Sequence, residues 1–260
     1  MSEFGIDLTS PGGWLPLVFA LVMALSMLAY VILDGYDLGV GALLNSADTI
    51  EHKNTMIASI GPFWDANETW LVLGVGVLLV GFPMAHGVIL GALYLPVALM
   101  LVALSLRGVA FDFRVKAKDH HRPLWDKAFY IGSLLAGWSQ GFMLGQLILG
   151  FKQETASYVF SALIGFCLVF AYRLLGAGWL IMKTEGALQL RAVAWAQGSL
   201  WLTAAGVIAI SVATPWVSQR IFDKWFSFPN LLMLLAIPAV TMALFVVIQR
   251  SMMRLPVRFA

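Results

Sequence analysis

Apolar residues run along this chain in blocks of roughly 20, each closed by a short polar or glycine-rich interruption, the length that crosses a hydrocarbon core as an α-helix. Six blocks are plain: Trp14–Leu33, Val88–Leu106, Ala128–Phe151, Tyr158–Met182, Ala192–Val217 and Leu231–Ile248, the last with Pro238 inside it. A further block, Thr69–Phe82, has 14 residues, about 21 Å of helix against a core of about 30 Å. Its helix is therefore predicted to begin earlier, near Ile57 or Gly61. It then carries Trp64, Asp65, Asn67 and Glu68 as a polar turn near one end. The pattern predicts seven spans.

Composition agrees. Of the 260 residues 60% are hydrophobic and 12% charged, with a mean hydropathy of +0.86. A soluble chain of this length has too little interior for so much apolar surface. A secreted globular domain, a disordered chain and a nucleic-acid partner are excluded. The expected fold is an all-α polytopic membrane bundle, one integral membrane domain over 1–260. Residues 14–151 form a first four-helix group and 158–250 a second, incomplete one. Residues 1–13 hold no Lys or Arg, so a cleavable signal peptide is not expected. The single cysteine, Cys167, excludes an internal disulfide and a CxxC metal site. Alternating the spans places 13 of the 16 Lys and Arg on one side, which predicts an outside N-terminus and a cytoplasmic C-terminus.

The candidate chemistry lies at the predicted cytoplasmic end. Asp34 and Asp37 directly follow the first span, and the polar turn with Asp65 and Glu68 enters from the same side. On a helix Asp65 and Glu68 stand at i and i+3 and Trp64 and Glu68 at i and i+4, so each pair shares a face. A carboxylate inside a membrane helix costs about 2.5–3.5 kcal/mol even on insertion scales, so four of them call for a reason. They can take up protons from water and pass them inward. Equally, they can pair with a base such as Arg107 or sit in the wet interface. Arg107, closing the third span, reads as that partner or as a positive-inside anchor. Arg173, inside the fifth span, is expected to snorkel or to pair across the bundle. Gly74, Gly76, Gly81, Gly87 and Gly91 are expected to allow close helix packing. His52, His86, His120 and His121 all fall in loops or at span ends, so no haem ligand is expected from mid-span. These features fit a secondary transporter, a structural partner subunit, or a proton-conducting subunit of a larger enzyme.

Three motifs narrow the choice. Asp34-Gly35-Tyr36-Asp37-Leu38-Gly39-Val40-Gly41 is followed by Gly61-Pro62-Phe63-Trp64-Asp65-Ala66-Asn67-Glu68-Thr69-Trp70. Then come Tyr94-Leu95-Pro96 and Leu106-Arg107-Gly108-Val109-Ala110-Phe111-Asp112-Phe113-Arg114. In order and content this resembles the signature of subunit II of cytochrome bd-type quinol oxidases, closest to the cyanide-insensitive branch. The resemblance implies an electrogenic enzyme of the bacterial inner membrane, active only as a complex with subunit I. It would oxidise quinol, reduce dioxygen to water and build a proton gradient without pumping. Two haems b and one haem d would be held mainly by subunit I, and the quinol site would belong to that partner. A small accessory subunit is an open addition, and membrane lipid surrounds the complex. This chain would complete the heterodimer and supply a cytoplasmic proton path. The family's Trp-Asp acid maps onto Asp65, with Asp34 or Asp37 next along the path, and Glu68 matches a position whose residue type varies. Trp64, Trp70 and Arg107 are the residues expected to support a nearby haem or the subunit interface. Members of the family are usually longer, with further spans beyond the last one found here.

Overall fold

The computed structural model describes residues 9–228 and 230–254, and these are helical throughout, with no strand among them. The helices are α1 (Pro11–Leu43), α2 (Ile50–Ile60), α3 (Trp64–Gly81), α4 (Pro83–Ala92), α5 (Tyr94–Lys116), α6 (Arg122–Ile148), α7 (Thr155–Lys183), α8 (Gly186–Val217), α9 (Gln219–Trp225), α10 (Asn230–Leu234) and α11 (Ala236–Arg254). The first eight residues and Arg258, read above for a signal peptide and for charge, lie outside the described residues. The chain is an all-α polytopic membrane bundle.

By length and apolarity five helical segments can cross a membrane: α1, α5, α7, α8 and the stretch Asn230–Arg254. The pair α2 and α3, bent by 47°, makes six if taken as one span. The remaining predicted span is α6, whose 27 residues reach about 40 Å. It buries Asp126, Ser133, Ser139 and Gln146 against other helices rather than lipid, which lowers its hydropathy.

Several boundaries differ from the prediction. The first helix does not stop at Leu33 but runs ten residues further, about 15 Å, so Asp34 and Asp37 lie inside it. Its hydropathy falls there because lipid gives way to protein: from Asp34 to Leu43 all but Tyr36 are buried. The polar turn does begin a membrane helix, but α3 starts at Trp64 and the residues before Gly61 form the separate α2, the two being parted at Gly61-Pro62-Phe63. Val88–Leu106 is not one helix. It breaks at Leu93, and α5 continues past Arg107 to Lys116. The last block breaks in the same way at Leu235. Pro96 and Pro238 each stand three residues after a break, where the missing N–H ends the preceding helix and suits the first turn of the next.

The helix α1 threads the centre, touching α3, α6 and α7. Its contact with α7 is backbone on backbone. A Cβ at Gly39 would strike the Tyr172 carbonyl oxygen, and one at Gly176 would strike the Gly39–Val40 backbone. Gly74 and Gly81 also pack closely, against Met27 and Phe19, whereas Gly76, Gly87 and Gly91 face open space and carry no close packing. At the end of the bundle reached by the C-terminus of α1, charges from distant segments meet. Arg114 binds Asp126 and Asn54, Lys53 lies 3.5 Å from Asp126, and Arg191 pairs with Asp48. Basic residues assigned to one side of the membrane therefore share one end of the bundle. Outward faces are apolar, as in the exposed stripe Leu17, Leu21, Leu25 and Leu28 of α1.

Because neither backbone can yield at the α1–α7 contact, Gly39→Ala is expected to destabilise the assembled protein by about 1–3 kcal/mol or more. Gly87→Ala, in open space, should stay within about 0.5 kcal/mol. Thermal unfolding midpoints of the two variants in detergent check this.

Candidate functional site

The centre of the site is Arg107 on α5. Its side chain is 0% exposed, inside a membrane helix, and three elements supply its partners. Asp34, on α1 and equally buried, accepts from Nη1 at 2.9 Å. Glu68, on α3, accepts from the same nitrogen at 3.0 Å. Asp37, one turn beyond Asp34, places Oδ2 4.0 Å from Nη2. That oxygen also accepts from Asn67 Nδ2 at 2.8 Å. Spacing explains the convergence: Asp34 and Asp37 at i and i+3 share one face of α1, and Asn67 and Glu68 lie on the face of α3 that meets it. Trp64 closes the side toward α5. Its ring centroid lies 5.8 Å from the Arg107 guanidinium carbon and 5.1 Å from the ring of Phe111.

Three carboxyl groups thus surround one guanidinium. With all ionised the cluster would carry −2 in a desolvated site, which is costly. Holding a proton on one of the three relieves that cost. Glu68, whose side chain is 26% exposed, is the most open of the three.

The structure brings together Asp34, Asp37, Glu68, Arg107 and Trp64. It leaves out two expected residues. Asp65 is exposed on the first turn of α3 and takes no part in the hydrogen bonds or ion pairs of the cluster. The i, i+3 relation to Glu68 holds, but Asp65 lies on the outer edge of that face. Trp70 is 38% exposed on the outward side of α3, away from the cluster. Arg107 is not a surface anchor: the helix continues beyond it and closes over it. Arg173 is half-buried beside Tyr130 and makes no ion pair among the described residues.

Some partners were not singled out from sequence. Asn67 lies within the polar turn and binds Asp37 directly. A second set lies one turn behind the cluster: Tyr172 donates to Gln140, and Gln140 donates to Tyr30, one turn before Asp34 on α1. An amide in the apolar run of α6, one of two there with Gln146, was the available signal. The charge set of Arg114, Asp126, Asn54 and Lys53 fixes α2 against α5 and α6, and so fixes where the break before Trp64 falls.

Among the described residues no group of three or more His, Cys, Asp or Glu is placed to hold a metal. His52 on α2 and His86 on α4 are half-buried, and His120 and His121 stack on each other in the exposed turn between α5 and α6. No histidine faces another across the bundle.

Comparison with known proteins follows the same lines. A family described as cytochrome bd terminal oxidase subunit II matches residues 15–259. The cytochrome bd ubiquinol oxidase subunit 2 of Bacillus subtilis is 38% identical over 118 residues, 44% of this chain and 35% of that protein. The cytochrome bd-I ubiquinol oxidase subunit 2 of Escherichia coli K12 is 30% identical over 222 residues, 78% of this chain and 57% of that protein. A probable cytochrome oxidase subunit 2 of Haemophilus influenzae is 30% identical over 223 residues, 80% of this chain and 57% of that protein. The chain thus spans little more than half the length of these relatives, or less. By motif, fold and extent of match, the chain belongs to the cytochrome bd terminal oxidase subunit II family.

Proposed function

We propose that this chain acts as subunit II of a quinol oxidase in the bacterial cytoplasmic membrane. Paired with a subunit I, it would serve a complex that oxidises quinol, reduces dioxygen to water and builds a proton gradient without pumping. The observation that carries the reading is the Arg107 cluster: three carboxyl groups around one buried guanidinium at one end of the bundle. In this reading that end faces the cytoplasm, which the gathering of Arg114, Lys53 and Arg191 there supports. Asp65, exposed at the rim, collects protons from water. Glu68, a quarter exposed, receives them, and Asp37, held by Asn67, and Asp34 share them around Arg107. The haems, two of type b and one of type d, would be held mainly by subunit I.

A site built to move protons near one end of the bundle separates this reading from ion-coupled transport, which places its charges near the bilayer midplane. It also separates it from a purely structural subunit, for which a net-negative buried cluster has no use.

Purification of the chain from its native membrane is expected to bring a larger second subunit and a haem d signature in the reduced-minus-oxidised spectrum. An eluate lacking both refutes the assignment to an oxidase complex. In the purified complex, Asp65→Asn should lower turnover about tenfold or more, while the haem spectrum and unfolding midpoint stay unchanged, because Asp65 holds nothing in place. Near-normal turnover with full haem content would rule Asp65 out of the path. Arg107→Met should act differently. It leaves Asp34 buried without its cation, so a stability loss of about 3–5 kcal/mol and poor assembly are expected, read by thermal unfolding and by the yield of heterodimer.

A further inference from the structure

We infer that the seam between α6 and α7 holds an anionic phospholipid, with its phosphate on Arg173 and Lys127 and its acyl chain along an aromatic wall. The inference does not rest on the proton path. Arg173 lies inside α7, ten residues or about 15 Å before that helix ends at Lys183. A permanent charge at that depth needs an anion. Arg107, Arg114 and Arg191 each find a carboxylate within the chain. Arg173 finds none among the described residues, and its Nε is buried without a hydrogen-bond partner.

Helix packing fixes the face that Arg173 occupies. Gly137, Gly141 and Gly145 of α6 meet Val169, Gly165 and Ser161 of α7, so contacts repeat every four residues along both helices. One further step along each ridge brings Arg173 level with Ser133. Arg173 therefore stands on the ridge of α7 that faces α6. Ser133 offers it nothing: its hydroxyl donates to the Phe129 carbonyl, and its side chain packs on Gly41 of α1. Arg173 is only half-buried, so the seam is open at this point.

Two further features lie along the same seam. Lys127 is exposed on α6, about 9 Å from the level of Ser133 toward the basic end of the bundle. It shares a stripe with Ile131, Leu134 and Trp138, at i+4, i+7 and i+11. In the other direction the seam becomes aromatic. Trp138 meets Phe142 at 5.2 Å and, across the seam, Phe166 of α7 at 6.2 Å between ring centroids. By the packing register these rings stand about 8–14 Å from the level of Arg173, within the roughly 15 Å of one leaflet. Phe166 is 59% exposed, so the wall faces outward.

Charge selects the occupant. Lys127 and Arg173 present two cations, and the nearby acid, Asp126, is already held by Arg114 and Lys53. A phosphodiester can accept the paired N–H groups of a guanidinium and still offer oxygen to an ammonium. Its acyl chain then covers rings that would otherwise meet loose lipid. Basic pockets between helices, at the side of a membrane protein rich in Lys and Arg, are suited to anionic headgroups.

Native mass spectrometry of the purified protein is expected to show a retained phosphatidylglycerol adduct. Arg173→Met should lower the retained fraction at least tenfold and Lys127→Met severalfold. After delipidation, phosphatidylglycerol in mixed micelles should raise the thermal unfolding midpoint of the parent and leave that of Arg173→Met unchanged, while inorganic phosphate raises neither. Lys127 is exposed and holds no other group, so its variant carries the test if Arg173→Met does not fold. Equal retention in the parent and the variants, or an equal rise with inorganic phosphate, overturns the inference. So does loss of a second subunit from Arg173→Met with the lipid fraction unchanged, which would give the anion to a protein carboxylate.

Discussion

A guanidinium with no exposure to solvent, inside a membrane helix, constrains everything around it. Arg107 is too costly to bury alone, and no local residue can match it: its partners lie 73 and 39 positions away in sequence. The pairing therefore requires α1, α3 and α5 to meet at one level. It also requires α1 to remain helical beyond its apolar stretch, because Asp34 and Asp37 must present one face. That extended part of α1 has no lipid to face and is packed on all sides. Gly39 and Gly176 let it lie directly against α7. The glycine-rich motif after Asp34 and the isolated arginine 73 positions later are two halves of one arrangement.

Around this centre the molecule sorts its charges by depth. The outermost set, Arg114 with Asp126, Asn54 and Lys53, ties the short helix α2 to the ends of α5 and α6. With α2 held, the chain must turn at Gly61-Pro62-Phe63, and the polar turn of α3 enters the bundle where Arg107 waits. The outer set has two cations around one carboxylate, with the neutral Asn54 as a further acceptor. The inner set has an excess of carboxyl groups. The first arrangement ties helix ends together, and the second joins three helices around one guanidinium.

How far the sequence reveals this depends on the range of each interaction. Length arithmetic alone placed Glu68 and Asn67 inside a membrane helix, because 14 apolar residues cannot span the core. The motifs identified the family, since they pack distinctive residues into short windows. Hydropathy ended the first helix at Asp34 because a window scale takes a charge as a boundary, and only the partner 73 positions on makes it an interior. An arginine near the end of an apolar run reads the same whether it faces phosphate or a buried acid. Asp65 and Glu68 differ by a small rotation about α3, enough to leave one in water and the other on Arg107, and no pattern of residue types fixes that rotation. Gln140 is fainter still: its meaning rests on two tyrosines from other helices.

The arrangement also bears on why a proton site would be built around an arginine. A cluster of acids alone would bind its protons too firmly to release them, because each ionised carboxylate in a poorly solvated site raises the cost of the next. One permanent cation lowers that cost for all of them, and a guanidinium cannot itself lose the proton. Asp34 lies 2.9 Å from Arg107, and the other two carboxyl groups differ mainly in their exposure. Glu68 is partly open, while Asp37 is nearly closed and held by an amide that can follow either protonation state. The two acids therefore differ in exposure rather than in kind.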